Sequence, residues 1–149
     1  MKIHLEPIGY VTNNVESPID RAWSKIESKI VLEEHLTPAL SGLADFSHLL
    51  IVFWMHKAKP PTVLQRRPQN RNDMPTVGLF SQRSKHRPNP IGITAVSLVG
   101  IRGREIVVLG LDAINGTPVL DIKPYYPRFD TYIEAKVPDW ANRLMLGYF

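Results

Sequence analysis

The stretch Leu49-Leu50-Ile51-Val52-Phe53-Trp54 is a continuous apolar run rich in β-branched and aromatic residues. A short run of this kind, without polar interruptions, is typical of a strand buried on both faces. We therefore expect it at the centre of a sheet. Even when it is extended to Met55, the run is far shorter than the roughly 20 residues that a membrane helix needs.

Shorter strands are predicted on both sides of this run. Residues 91–99 and 105–111 alternate in part between apolar and polar and meet across a turn at Arg102-Gly103, which predicts a β-hairpin. Further strands are predicted at residues 3–11, 29–32, 77–80 and 119–122. Two short helices complete the prediction: one starts at Thr37-Pro38 and ends near Leu43, and the other is capped by Asp139.

About six short strands with few helices predict a mainly β fold, either a small closed barrel or a sandwich. A length of 149 residues suits one domain over residues 1–149. The chain has no GxGxxG loop between a strand and a long helix, so the commonest dinucleotide-binding arrangement is excluded. Any nucleotide-like cofactor must be held in another way.

Composition narrows the possible functions further. The chain has no cysteine, which excludes disulfides, thiolate nucleophiles and Cys-ligated metal clusters. Its histidines stand at no metal-binding spacing, so we expect no metal. No targeting segment is recognisable, and we expect a cytoplasmic protein without a membrane span. Residues 57–87 hold eight basic side chains against the single acid Asp73, which predicts a basic loop region with an anionic partner.

Three groups of residues could carry chemistry. The first is Arg83-Ser84-Lys85-His86-Arg87-Pro88-Asn89-Pro90-Ile91-Gly92. Two prolines fix the backbone around Asn89, and guanidinium groups can grip a carboxylate or phosphate with two hydrogen bonds. A solvated basic turn that merely enters a strand is an equally good interpretation of the residues alone.

The second group is Leu111-Asp112-Ala113-Ile114-Asn115-Gly116-Thr117-Pro118, followed by Asp121 and Lys123. Asn115-Gly116 predicts a turn with positive φ that exposes backbone amides and carbonyls. Asp121 and Lys123 are two residues apart, so they share a face of a strand. They could meet a polar ligand together or form an ordinary surface ion pair, which contributes about 0 to 1 kcal/mol.

The third group is His56-Lys57, at the end of the buried run, where binding groups are often displayed. A lone histidine is more often a hydrogen-bonded structural residue than a catalyst. The pair Tyr125-Tyr126 could pack in a turn or offer a stacking surface.

Several segments, in their order along the chain, closely resemble the motifs of the TsaA-like family, also called the TrmO type. These segments are Phe46-Ser47-His48-Leu49, residues 77–84 with 87–92, and Leu111-Asp112 with residues 115–125. The resemblance implies a small β-barrel methyltransferase that binds S-adenosylmethionine and works as a homodimer. It further implies methylation of N6 of threonylcarbamoyladenosine at position 37, in the anticodon stem-loop of transfer RNA.

Roles carried over from this family fall into two sets. Cofactor contacts are implied for His56, Lys57, Arg83, Asp112, Asn115, Gly116 and Thr117, and catalytic or substrate-facing roles for Arg87, Asn89, Asp121, Lys123 and Tyr125. The basic stretch would hold the phosphate backbone of the anticodon stem-loop, with RNA contacts expected at Arg66, Arg67, Arg71, Lys85 and Arg87. Where bacterial members carry Pro-Arg-Gln, this chain has Ser17-Pro18-Ile19-Asp20-Arg21, so different local cofactor contacts are implied.

Two other interpretations stay open at this point. The chain could be a module that binds S-adenosylmethionine or RNA without catalysis. It could also be a small β-barrel enzyme that acts on a phosphorylated metabolite through the same basic loop, in which case it would turn over without RNA.

Overall fold

The computed structural model describes residues 1–149, and six of its eight strands close into an antiparallel barrel. The strands are β1 (Gly9–Thr12), β2 (Glu27–Leu32), β3 (His48–Trp54), β4 (Gln65–Arg66), β5 (Val77–Gly78), β6 (Ile91–Arg102), β7 (Glu105–Leu109) and β8 (Pro118–Pro124). The order around the barrel is β1-β2-β7-β6-β3-β8, and β4 pairs with β5 in a separate small sheet. The predicted small β-barrel is confirmed, and the alternative of a sandwich is wrong.

The helices are all short. Five are 3₁₀ helices, at Trp23–Lys25, Glu34–Leu40, Leu43–Asp45, Pro68–Asn70 and Leu79–Ser81, and two are α-helices, α1 (Pro127–Asp130) and α2 (Asp139–Met145). No helix is long and apolar enough to span a bilayer. Both predicted helix starts were wrong in detail. The Thr37 hydroxyl bonds back to the Glu34 carbonyl at 2.7 Å inside its helix, and Pro138 rather than Asp139 stands at the cap of α2.

Several predicted strands are shorter or longer than expected. The first begins only at Gly9, beyond Pro7, and the one predicted at residues 77–80 becomes a 3₁₀ helix after Gly78. The predicted hairpin is confirmed as β6 and β7, with Arg102 opposite Glu105. Its turn consists of Gly103 and Arg104, and Gly103 has the positive φ of +59° that a tight turn requires.

The apolar run lies in β3, between β6 and β8, as predicted. Its burial was predicted wrongly. Leu49, Ile51 and Phe53 point into the core and are at most 3% exposed, whereas Leu50 and Val52 point outward and are half-buried. A barrel has one interior, so successive side chains of a strand must alternate between core and surface.

A bulge in β8 decides which of its side chains point outward. Phe53 of β3 lies opposite Val119, and Val52 lies opposite Asp121, so Leu120 is an extra residue on β8. This insertion reverses the inward and outward alternation beyond it. Val119 is therefore in the core, while Asp121 reaches the surface.

Gly92 is required by the packing of β3 against β6. It lies opposite Phe53, and a Cβ at this position would overlap the Phe53 ring. The glycine at the end of the Arg87–Gly92 segment thus has a structural role, because it lets an aromatic side chain cross the strand.

Candidate functional site

All of the predicted cofactor residues lie at one end of the barrel. Antiparallel neighbours bring the ends of β1, β3 and β7 beside the starts of β2, β6 and β8. We call the end of the barrel where these strand termini lie the upper end. The segments that cross it are residues 13–26, 55–90 and 110–117, so all seven predicted cofactor residues lie on its loops.

Arg83 and Asp112 bond adjacent residues of β6, near its upper end. The Asp112 carboxylate accepts a hydrogen bond from the Thr94 hydroxyl at one oxygen and from the Tyr148 hydroxyl, at 2.7 Å, at the other. The Arg83 guanidinium donates to the carbonyl of Ile93, the neighbour of Thr94, at 2.8 Å. Neither Arg83 nor Asp112 belongs to any of the four ion pairs of the chain.

A single residue, Glu16, joins the Asn115 turn to Lys57. Its carboxylate accepts a hydrogen bond from Asn115 Nδ2 at 2.9 Å, and its carbonyl accepts one from Lys57 Nζ at 3.0 Å. Asn13 supports the same turn, because its Nδ2 donates to the Ala113 carbonyl at 2.8 Å. Sequence reasoning missed Glu16 and Asn13, since both lie in a loop with no motif of its own.

The expectation of exposed backbone donors in this turn was wrong. Gly116 has the predicted positive φ, +76°. However, the amides of Asn115 and Gly116 donate to the carbonyls of Val15 and Val11 at 2.7 and 2.8 Å. Thr117 is only 2% exposed. These hydrogen bonds join the turn to β1 and to the loop that follows it. Because the two amides are already bonded, side chains must contact a ligand here.

His56 lies at the surface beside Lys57, on the segment that follows β3. Partial loss of water around the ring, and then the positive charge of Lys57, lower the pKa of His56 below its ordinary value of 6.5. The imidazole is therefore neutral near pH 7 and can accept as well as donate a hydrogen bond.

The predicted catalytic residues lie on and beyond β8. Lys123 Nζ and Asp121 Oδ2 are 2.6 Å apart on the outer face, and the hydrogen bond to Asp121 raises the pKa of Lys123. Tyr125 follows β8, and its hydroxyl bonds Thr131 Oγ1 at 2.7 Å. Because β8 has seven residues, it spans about 23 Å. In one chain Tyr125 is therefore at the opposite end of the barrel from Arg83.

Asn89 lies in the upper-end segment 55–90, two residues before β6 begins. It is exposed between its two prolines, and its carbonyl accepts a hydrogen bond from the Ile91 amide at 2.8 Å. This bond fixes the backbone of the turn and leaves the side-chain amide pointing to solvent.

The five predicted RNA contacts differ in how freely their charge is available. Arg66 and Arg67 donate to the neutral side chains of Asn70 and Asn72. By contrast, Arg71 forms a two-bond ion pair with Asp73, at 2.9 and 2.6 Å, which balances its charge.

The other two predicted RNA contacts lie in the Arg83–Gly92 segment. Arg87 donates to the carbonyls of Leu79 and Gln82 and lies over the Phe80 ring, so it holds the turn before it. Lys85 is half-buried, and its ammonium takes part in none of the four ion pairs. No group of three or more His, Asp or Glu side chains is arranged to hold a metal ion.

Comparison with known proteins identifies the domain. Residues 10–131 match the family described as the tRNA-methyltransferase O N-terminal domain. The chain belongs to the TrmO N-terminal domain family. The fold agrees, because the crystal structure of TrmO from Pseudomonas aeruginosa superposes with a TM-score of 0.75 at 30% sequence identity, over 91% of this chain and 61% of that one.

Curated relatives of this family differ in length. A probable S-adenosyl-L-methionine-binding protein of Methanothermobacter thermautotrophicus is 36% identical over 88% of this chain and 96% of its own length. The tRNA (adenine(37)-N6)-methyltransferase of Rattus norvegicus is 38% identical over 85% of this chain, which matches only 31% of that enzyme. The chain thus spans about a third of the mammalian relative and nearly all of the archaeal one.

Proposed function

We propose that this chain is an S-adenosylmethionine-dependent methyltransferase that modifies N6 of adenine at position 37 of transfer RNA, with threonylcarbamoyladenosine as the acceptor. The observation that carries the proposal is the placement of Arg83, Asp112, Lys57 and Asn115 at one end of a barrel of this family. Arg83 and Asp112 bond the adjacent residues Ile93 and Thr94, and Lys57 and Asn115 both bond Glu16. The names of the archaeal and mammalian relatives support the cofactor and the reaction.

The side chains at the upper end fit S-adenosylmethionine. Its amino-acid part carries one positive and one negative group, and the site offers the carboxylate of Asp112 and the guanidinium of Arg83, neither of which has an ion partner within the chain. The neutral ring of His56 and the amide of Asn115 suit the polar edges of an adenosine. When bound, the cofactor supplies an electrophilic methyl group.

The residues of the chain must then align the acceptor nitrogen and remove its proton. Asp121 is our candidate for the proton acceptor, because an ionised carboxylate needs no prior activation; Tyr125 is the alternative. Lys123 lies against Asp121 at 2.6 Å. It can stabilise negative charge on the neighbouring carbamoyl group or hold the threonyl carboxylate. Arg87 serves this role less well, because its guanidinium already holds two carbonyls.

A homodimer resolves the separation between the two halves of the site. Within one chain Tyr125 lies beyond the far end of β8, a strand about 23 Å long, and Asp121 lies on the outer face at the middle of that strand, outside the loops of the upper end. Their outer face includes half-buried Val52 opposite Asp121 and half-exposed Ile93. An apolar strip beside polar catalytic residues suits contact with a second copy. We propose that Asp121 of one subunit serves the cofactor held by its partner.

Mixing two inactive variants tests both the function and the shared site. Arg83→Ala weakens cofactor binding and Asp121→Asn removes the proton acceptor. At a concentration of S-adenosylmethionine well below the Kd of Arg83→Ala, each homodimer should therefore transfer little methyl label to transfer RNA. After the two are mixed and allowed to exchange subunits, mixed dimers carry one intact site and part of the activity should return. No recovery would place each site within one chain. Cofactor binding without any transfer by the unaltered chain would favour a non-catalytic module, and turnover without RNA would favour a metabolite enzyme.

A further inference from the structure

Residues Gly147–Phe149 are fixed to the upper end of the barrel. The amides of Ala22 and Trp23 donate to the carbonyls of Gly147 and Tyr148, each at 2.9 Å. Trp23 is 2% exposed, and its indole nitrogen donates to the Ile19 carbonyl at 2.9 Å. A buried tryptophan therefore anchors this segment, and places Tyr148 beside the loop that bears Asp112.

The Tyr148 and Thr94 hydroxyls each donate a hydrogen bond to a different oxygen of the Asp112 carboxylate. Tyr148 donates to Oδ2 at 2.7 Å and Thr94 donates to Oδ1. With one donor on each oxygen, the carboxylate cannot rotate freely, yet every oxygen keeps a lone pair for another donor. Burial and the negative charges of Asp112 and Asp20 raise the pKa of Tyr148, so the phenol keeps its proton and remains a donor.

Asp112 is hydrogen-bonded by two neutral hydroxyls and forms no ion pair with the cation Arg83. Arg83 is near enough for its charge to act on the Tyr148 phenol, but its guanidinium donates to the Ile93 carbonyl and forms no ion pair with Asp112. Two neutral hydroxyls hold the carboxylate without neutralising it. The half-buried Asp112 therefore has no cationic partner within the chain, and a positively charged ligand group can supply one.

We propose that Tyr148 is a positioning residue that holds Asp112 to accept the α-ammonium group of S-adenosylmethionine, and that Gly147–Phe149 forms a wall of the cofactor site. This inference rests on the proposed function. It assigns the amino-acid end of the cofactor to the surface that bears Arg83 and Asp112, and it gives a role to a segment outside the matched residues 10–131.

Calorimetric titration of the full chain with two ligands tests the assignment. S-adenosylmethionine carries the amino acid, whereas methylthioadenosine has the same nucleoside and no amino acid. Tyr148→Phe removes only the hydroxyl and should weaken S-adenosylmethionine about 3- to 10-fold while leaving methylthioadenosine unchanged. Asp112→Asn keeps the shape but removes the charge. It should weaken S-adenosylmethionine more than Tyr148→Phe does, again without changing the affinity for methylthioadenosine. Tyr132→Phe, at a tyrosine that is 78% exposed, is the matched control.

The outcomes separate this inference from the proposed function. Unchanged S-adenosylmethionine affinity in Tyr148→Phe would overturn the inference and leave the proposed function intact. Equal weakening of both ligands, accompanied by a lower melting temperature, would make Tyr148 a purely structural residue and overturn it as well. Failure of the unaltered chain to bind either ligand would overturn the proposed function, and the inference with it.

Discussion

The carboxylate of Asp121 and the ammonium of Lys123 lie 2.6 Å apart on the outer face of β8, where the extra residue Leu120 has turned them away from the core. The second oxygen of Asp121 accepts the Ile122 amide at 2.9 Å. Both oxygens of the Asp121 carboxylate therefore have a hydrogen-bonding partner within β8.

Asp121→Asn should lower kcat for methyl transfer by roughly a hundredfold or more, because an amide cannot accept the proton that leaves N6. Binding of S-adenosylmethionine should be spared, since the substitution lies outside the upper end. Single-turnover assays and calorimetry measure the two effects separately. Glu105→Gln, in the surface pair with Lys29 at 3.6 Å, removes the same charge and serves as the control. Full activity in Asp121→Asn would exclude Asp121 as the base.

Arg83→Ala should raise the Kd for S-adenosylmethionine about tenfold, because a charge-assisted contact to the cofactor carboxylate is lost. Arg102→Ala removes an exposed arginine of the β6–β7 hairpin, at the other end of the barrel, and should leave the Kd unchanged. Equal affinities of the two variants would contradict the assignment of Arg83.

His56 should titrate below its ordinary pKa of 6.5, chiefly through loss of water and secondarily through Lys57. Protonation is then more favourable in the unfolded chain, so the free energy of unfolding should fall as the pH is lowered from neutral through 6.5. Lys57→Met should raise the pKa of His56 only part of the way back, as followed by NMR of the ring protons. Lys59→Met is the control, and an unaltered His56 titration in Lys57→Met would contradict this explanation.

Gly92→Ala should destabilise the fold by about 1–3 kcal/mol, because the new methyl group overlaps the Phe53 ring. Gly100→Ala, also in β6, has open space around its Cβ and should have little effect. Denaturant unfolding measures both. Replacing Phe53 with Leu in the Gly92→Ala background should recover part of the loss, and equal stability of the two glycine variants would rule out the clash.

RNA affinity should depend on salt through the basic residues whose charge is free. Arg67→Gln should reduce the slope of log Kd against log salt by roughly one, the amount expected for one phosphate contact. Arg71→Gln should change it less, because Asp73 already balances Arg71. Titrations with an anticodon stem-loop at several salt concentrations would measure this, and a larger effect of Arg71→Gln would reverse the ranking.

Sequence patterns predicted the barrel class, the hairpin and the central position of β3, because local alternation and turn residues are visible along the chain. They could not predict which way Asp121 points, since the bulge at Leu120 exists only relative to β3. The apolar run was misjudged for a related reason: Leu50 and Val52 face outward only because the sheet closes.

The candidate site was predictable in part. The motifs identified Arg83, Asp112 and Asn115 individually, but Asn115 is held by Glu16 and Asn13, and Asp112 is held by Tyr148. These three residues lie far from the motifs in sequence, and an unremarkable loop or terminal segment gives no local pattern that indicates such long-range contacts.

Nucleoside mass spectrometry of transfer RNA incubated with this chain and S-adenosylmethionine tests the central claim most directly. We predict that threonylcarbamoyladenosine gains the mass of one methylene group and that omission of the cofactor, or Asp121→Asn, prevents the gain. Transfer RNA that stays unmodified, while calorimetry under the same conditions records cofactor binding, would contradict the claim.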